Sequence, residues 1–119
     1  MGLPRLRFTV SHPIEPDRSA DLELLVDTGA MDSIVPRSVL ESLGVQPQSR
    51  RTYRLANGQT IERDVSIAGF RWNGHMCGAT VLFGEPGDEP ILGVTALESM
   101  GLKIDPKTGT LEPTDLLLI

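Results

Sequence analysis

The residues most suited to chemistry in this chain form the triplet Asp27-Thr28-Gly29, which occurs once and follows an apolar run at residues 24–26. A carboxylate at the end of a buried strand can act as a general acid or base on a bound substrate. Peptide hydrolysis by carboxylates uses two of them, one as the base and one as the acid. The triplet supplies one, so this chemistry needs a second Asp from another copy of the chain. The alternative is that Asp27 caps the backbone of its own strand-end turn.

Other residue types offer no competing site in the sequence. His12 and His75 lack partners at metal-ligand spacing. There is no glycine-rich phosphate loop and no serine-centred turn of the kind that hydrolases use. The single cysteine, Cys77, lies in an apolar run and is expected to be a buried structural thiol. We therefore expect no metal and no cofactor.

Composition and charge narrow the classes of partner. The 119 residues suit one domain over residues 1–119, and the net charge of −5 argues against nucleic acid, because phosphate binding needs clustered cations. Arg50, Arg51 and Arg54 form the one tight basic group, which is interpreted as a solvated loop or strand edge. The sequence shows no signal peptide, no myristoylation pattern and no apolar run of membrane-spanning length. We expect a soluble cytoplasmic protein that binds no membrane.

Short strands must position Asp27. Alternating or continuously apolar segments predict strands at residues 5–10, 22–26, 33–35, 52–55, 60–67, 70–72, 76–83, 91–93, 102–104 and 110–112. Helices are predicted at residues 36–43 and 95–100, each followed by a glycine that can end it. Thr95 and Glu98 have the spacing of a capping box. The sum is an all-β fold, a closed barrel or sandwich with one or two short helices.

Two Asn-Gly pairs, Asn57-Gly58 and Asn73-Gly74, predict hairpin turns, because both residues of each pair tolerate a positive φ. The chain also repeats itself weakly. Residues 25–44 and residues 90–101 each read as strand, turn, short helix and glycine, and both contain Leu-Glu-Ser before the last two residues. This indicates a pseudo-twofold inside one domain, in which the second half lacks the Asp.

Three features in this order resemble the retropepsin-like aspartic proteases, the single-domain retroviral and cellular type that is active as a homodimer. They are Asp27-Thr28-Gly29 on an apolar strand, the Asn-Gly hairpin about thirty residues on, and Ile91-Leu92-Gly93 before a helix. The resemblance covers residues 22–104. It implies a closed acid-protease-type β-barrel, an aspartic endopeptidase, a homodimer and an extended peptide substrate.

The resemblance also implies a role for each residue of the triplet. Asp27 of each protomer would meet its copy at a twofold axis, where two close carboxylates share one proton. The ionised one would activate a water, and the protonated one would donate to the scissile carbonyl. Thr28 would bond across the axis and lock the two loops together. Gly29 would leave room for the substrate backbone, since a Cβ there would collide with it.

Substrate-binding positions are implied around the triplet and in a flap at residues 54–63. They are Ala30, Met31, Asp32 and Ile34 after the triplet, Ala56, Asn57 and Gly58 at the flap tip, and Ile91 and Leu92 in the supporting strand. Met31 and Val94 stand where retroviral enzymes usually carry a paired Asp and Arg. The specificity is therefore expected to differ, with apolar subsites.

Two alternatives stay open at this point. The chain could be a retropepsin-like dimer with little or no turnover that binds peptides or scaffolds a complex. It could also be an unrelated small β-barrel with a coincidental triplet. A strict monomer would exclude catalysis by a pair of Asp27 residues. The apolar residues 116–119 together with residues 6–10 are the candidates for an intersubunit sheet.

Overall fold

A computed structural model describes residues 2–119. Within them lie nine strands and two helices: β1 (Arg5–Ser11), β2 (Ser19–Asp27), β3 (Ser33–Pro36), α1 (Arg37–Ser42), β4 (Ser49–Arg54), β5 (Thr60–Trp72), β6 (His75–Gly84), β7 (Ile91–Gly93), α2 (Val94–Ser99), β8 (Leu102–Asp105) and β9 (Thr110–Pro113). Neither described helix has the length or apolar character needed to cross a bilayer.

The strands close into a barrel. A seven-stranded sheet runs in the order β1-β2-β7-β3-β6-β5-β4, and a further pairing of β1 with β5 joins the ends of the first six strands into a ring. Strand β4 continues the sheet beyond β5 and is an edge strand. Strands β8 and β9 form a separate two-stranded sheet. The predicted all-β fold with a closed barrel and two short helices is confirmed.

The barrel interior is filled by side chains that alternate along the strands. All three phenylalanines of the chain, Phe8, Phe70 and Phe83, are fully buried there, together with Leu24 and Val26 of the strand that leads to Asp27. Alternation puts these side chains on the inner face of the pleated strands. The strand that carries the triplet is thus anchored in the core up to the residue before Asp27.

Strand β1 limits where a second chain could add to the sheet. It pairs with β2 along its whole length, and residues Thr9 to Ser11 also pair with β5. The prediction that residues 6–10 lie in an intersubunit sheet is therefore wrong for residues 9 and 10, since both of their edges are occupied. Residues 6–8 have a strand partner on one side only among the described residues.

The two Asn-Gly pairs form different turns. At Asn73-Gly74 both residues have positive φ, 45° and 85°, in a two-residue connection between paired Trp72 and His75. At Asn57-Gly58 only Gly58 has positive φ, at 87°, and its N–H donates to the Leu55 carbonyl at 2.9 Å. The second connection spans five residues between paired Arg54 and Thr60. The longer loop needs one left-handed residue, so the predicted turn geometry holds for one pair and not for the other.

The internal repeat seen in the sequence is also present in the structure. Helices α1 and α2 each have six residues, and Gly44 and Gly101 follow them with φ of 78° and 74°. The predicted capping box at Thr95 is wrong, because Gly93 is the N-cap of α2 and no side chain caps it. Instead, the N–H groups of Val94 and Thr95 donate to carbonyls of the loop after Asp27.

The loop that leads into β7 is fastened by a half-buried ion pair. Arg63 donates from Nε to Asp88 Oδ2 at 2.7 Å and from Nη2 to Asp88 Oδ1 at 2.8 Å. Both side chains are less than one-fifth exposed, at 18% and 17%. The hydrogen bonds from Arg63 are the main cause that lowers the pKa of Asp88 below its ordinary value of 3.8. The pair holds the loop on β5 and so helps to place β7.

We expect this pair to make the protein acid-sensitive. Because the pKa of Asp88 is lowered on folding, the unfolded chain binds the proton more tightly, so the contribution to stability is present above about pH 4 and is lost as the pH falls further. The free energy of unfolding, measured by urea titration, should therefore change less between about pH 5 and pH 2 in Asp88→Asn than in wild type. An equal slope in wild type and variant would contradict this role.

Candidate active site

Asp27 is the last residue of β2, and its carboxylate is held by its own turn. The Gly29 N–H donates to Asp27 Oδ1 at 2.9 Å, and the Ala30 N–H donates to the Asp27 carbonyl at 3.1 Å. Asp27 is half-buried. Asp27 Oδ2 has no hydrogen-bond partner within residues 2–119. The capping interpretation thus describes one oxygen, and the other is available to a substrate or a water.

The turn itself gives a structural reason for a glycine at position 29. A Cβ built on Gly29 would lie 3.1 Å from Asp27 Oδ1, in the space that the carboxylate occupies. A larger residue at this position would therefore crowd the carboxylate and require it to shift slightly. This reason stands beside the predicted one, which is room for the backbone of a substrate.

Strand β7 and helix α2 support the turn from below. The backbone register places Gly93 beside Asp27, and the Gly93 N–H donates to the buried Ser33 Oγ at 2.9 Å. The Val94 N–H donates to the Ala30 carbonyl at 2.8 Å, and the Thr95 N–H to the Met31 carbonyl at 3.2 Å. These bonds satisfy donors that a helix start leaves free. The Asp27 turn is thereby fixed to a second element of the barrel.

The predicted substrate-binding residues have different positions in the protomer. Leu92 is fully buried beside Val26 in the core, so it offers no surface to a peptide, and its assignment as a substrate contact is corrected to core packing. Ile34 and Ile91 pair across β3 and β7 and are half-buried. Met31 is 68% exposed and Ala30 is half-buried.

Asp32 was expected to line the substrate pocket, but its carboxylate is already occupied. Tyr53 donates its hydroxyl to Asp32 Oδ2 at 2.6 Å, and Arg51 Nη1 lies 3.3 Å from the same oxygen. The Asp32 side chain is only 6% exposed. Burial, followed by the hydrogen bond to Asp32, raises the pKa of Tyr53 to about 12.

Sequence reasoning did not single out Tyr53, and it interpreted Arg51 as a solvated charge. The signal that could have found them is their spacing, because residues two apart on a strand point to the same face. Strand β4 is an edge strand, as expected for the basic group. The partner of Arg51, however, is a buried carboxylate far away in the sequence.

The β4–β5 hairpin carries the predicted flap tip outside the barrel. Ala56, Asn57 and Gly58 are all exposed, and the Asn57 Oδ1 accepts the Gln59 N–H at 2.9 Å within the loop. In the described protomer, the side-chain hydrogen bonds between this hairpin and residues 27–32 come from Arg51 and Tyr53. The structure thus connects residues 51–53, the neck of the hairpin, to the loop after Asp27, whereas the tip makes no such contact among the described residues.

Thr28 lies at the surface beside a groove of about 400 Å³ that α2, β8 and the start of the C-terminal segment also line. The segment at residues 116–119 lies outside the strands, with exposures of 76%, 91%, 93% and 107% for its four aliphatic side chains. Within residues 2–119, no three His, Cys, Asp or Glu side chains are grouped so as to hold a metal ion.

A closed barrel that presents Asp-Thr-Gly at the end of one strand, with β7 and α2 beneath it, defines the retropepsin-like class of aspartic-protease folds. The family model described as "gag-polyprotein putative aspartyl protease" matches residues 18–99. The chain belongs to this family.

A solved structure supports the fold. The solution structure of the simian foamy virus (mac) protease is similar to this chain with a TM-score of 0.56 and 22% sequence identity, over 80% of this chain and 92% of that chain. At this level of identity the likeness concerns the architecture alone. No curated protein matches the chain.

Proposed function

We propose that this protein is an aspartic endopeptidase that works as a homodimer, with one Asp27 from each protomer. The observation that carries the proposal is the Asp27 carboxylate at the end of β2, which is held through Oδ1 while Oδ2 has no hydrogen-bond partner among residues 2–119. The family and fold, which are those of aspartic proteases, support this use of the carboxylate. One protomer supplies a single such group, so the chemistry requires a second chain.

The proposed mechanism follows from two carboxylates at one site. Because two carboxyl groups at close range cannot both ionise easily, the pair carries one proton between them. The ionised Asp27 takes a proton from a bound water, whose oxygen then attacks the scissile carbonyl carbon. The protonated Asp27 donates to the carbonyl oxygen, which gives a tetrahedral intermediate with two hydroxyl groups. The Asp27 that took the proton from water then passes it to the nitrogen, the other Asp27 takes a proton back from a hydroxyl of the intermediate, and the C–N bond breaks. The Gly29 N–H keeps each carboxylate oriented without rearrangement during these steps.

The test is cleavage of a peptide library at several values between about pH 3 and pH 7, since acid–base catalysis depends on protonation state. Wild type is expected to cut within extended peptides, and Asp27→Asn is expected not to. Peptide binding without cleavage by either protein would favour the non-catalytic dimer instead. Equal cleavage by both proteins would exclude Asp27 as the catalytic group and so refute the proposed aspartic mechanism.

The exposed apolar tail supports dimerisation. Four consecutive aliphatic side chains at residues 116–119 lie in water in the protomer, and Leu116 contributes to the groove beside Thr28. The Thr114 N–H donates to the Gly101 carbonyl at 2.9 Å, which anchors the start of this segment near α2. Exposed apolar surface of this kind is typical of interaction sites. We propose that a second copy of the chain covers it.

Deletion of residues 116–119 is therefore expected to raise the dimer dissociation constant by at least about tenfold. Burial of even a few aliphatic side chains contributes more than about 1.4 kcal/mol to the free energy of association, which corresponds to that factor. Sedimentation velocity over a dilution series measures the shift. The specific activity of the truncated protein should fall at higher protein concentration than that of wild type. Met76→Ser is the matched control, since Met76 is 70% exposed on β6 and lies outside the tail. An unchanged dissociation constant in the truncated protein would refute the role of the tail.

A further inference from the structure

The neck of the β4–β5 hairpin is bound to the active-site loop by a buried carboxylate. On the edge strand β4, Tyr53 is the half-buried residue and the other five are exposed. Tyr53 and Arg51 lie two residues apart, and both reach Asp32 Oδ2, at 2.6 Å and 3.3 Å. Asp32 follows Asp27 in the same loop and precedes Ser33, whose hydroxyl holds Gly93.

Burial makes this contact asymmetric. The Asp32 side chain is 6% exposed, whereas the Arg51 side chain is 50% exposed. Lifting the hairpin would let Arg51 return to water at little cost, but it would leave the Asp32 carboxylate without its two side-chain partners. Hydrogen bonds to a charged group contribute more than bonds between neutral groups, so the loss of both is unfavourable. The cost of opening the neck therefore falls on Asp32, in the active-site loop.

The rest of the hairpin is held farther from the tip. Asp64 of β5 pairs with Arg37 of α1 at 2.6 Å, and Arg63 pairs with Asp88. Beyond Arg54, residues 55–60 are exposed, and within the described part of the chain the hydrogen bonds of residues 55–59 stay within residues 54–59. The hairpin thus has a base fixed to α1 and the loop before β7, a neck fixed to Asp32, and a tip without such anchors.

We propose that Asp32, Arg51 and Tyr53 form a tether that holds the hairpin neck on the active-site loop within one protomer, so that closure over a bound peptide is confined to residues 55–59. Asp32 is then a positioning residue, in place of the substrate contact expected for it. The tether stands on the contacts of the protomer, and its effect on peptide cleavage rests on the proposed function.

The single tyrosine of the chain provides a direct probe of the tether. Burial first, then the hydrogen bond and charge of Asp32, raise the pKa of Tyr53 to about 12, and Arg51 acts in the opposite direction. Asp32 and Arg51 are the charged groups that face the phenol within the described residues. In Asp32→Asn the tyrosinate absorbance should therefore appear at lower pH than in wild type, while burial keeps the midpoint above the ordinary value of 10.0.

Amide hydrogen exchange tests the tether without any assay of activity. Tyr53→Phe removes only the hydroxyl and should speed exchange in residues 51–61 by on the order of tenfold, with β1 and β2 unchanged. Thr52→Val is the matched control, since it removes the hydroxyl of an exposed neighbour on the same strand and should leave exchange unchanged. If exchange in Tyr53→Phe and the tyrosine titration in Asp32→Asn both match wild type, the tether is refuted.

Kinetics separate the tether from the proposed function. If the endopeptidase proposal holds, Tyr53→Phe should raise KM by about threefold to tenfold with a smaller change in kcat, because a looser hairpin weakens the closed complex. If wild type cleaves no peptide but hydrogen exchange is faster in Tyr53→Phe, the tether is supported and only the endopeptidase proposal is contradicted.

Discussion

Asp27→Asn is expected to lower kcat for peptide cleavage by at least about 1,000-fold, with little change in stability. An amide can neither take a proton from water nor donate one as a carboxylic acid does, so it removes the chemistry of both members of the proposed pair. The Asn oxygen can still accept the Gly29 N–H, which at present donates to Asp27 Oδ1 at 2.9 Å. The turn and the barrel should therefore be preserved.

Steady-state kinetics on a cleavable peptide measure this effect, with thermal unfolding of both proteins as a check of the fold. Asp21→Asn is the matched control, because Asp21 is an exposed carboxylate on the same strand and Thr9 donates to it at 2.6 Å. It should keep wild-type activity. A loss of less than about tenfold in Asp27→Asn would exclude Asp27 from the catalytic pair.

Gly93→Ala is expected to destabilise the protein by about 3 kcal/mol or more, and it should also abolish the site. A Cβ at Gly93 would lie 2.6 Å from the carbonyl carbon and oxygen of Asp32 and 2.8 Å from the Met31 oxygen. These are backbone atoms of the active-site loop, so no side-chain rotation can relieve the clash. Gly93 has φ of −83° and ψ of 169°, which any residue can adopt, so the cost is steric and not conformational.

Urea unfolding at neutral pH measures the loss. Gly78→Ala is the matched control, since Gly78 also lies on a barrel strand and its Cβ would meet only Ile67 Cγ2, at 3.9 Å. It should change the free energy of unfolding by less than about 1 kcal/mol. Similar stabilities of the two variants would show that β7 and the loop can move apart, which contradicts the support assigned to Gly93.

Structural features that depend on neighbouring residues in the chain were predictable from the sequence. The strands, the two hairpins and the helix-ending glycines follow from alternation and turn preference, and the triplet follows from its place after an apolar strand. Prediction failed where a distant segment intervened. Residues 60–67 and 70–72 were predicted as separate strands, yet β5 is continuous, because Ala68 and Gly69 pair with Ala79 and Gly78 of β6.

The site shows the same division. The turn at Asp27, Thr28 and Gly29 was predictable from sequence because the residues that hold the carboxylate are those of the turn itself. The partners of Asp32 could not, since Arg51 and Tyr53 reach it only after β4 has added to β5 at the edge of the sheet.

Short-range periodicity and turn chemistry specify the fold class, the place of the carboxylate proposed to react and the turn that orients it, so these features could be predicted from the residues alone. Contacts between distant segments were needed to establish that Leu92 lies in the core, that the loop after Asp27 accepts hydrogen bonds from the start of α2, and that Asp32 binds the hairpin. These outcomes depend on strand register between segments far apart in the chain. Register is set by the packing of the whole barrel, and no local pattern encodes it.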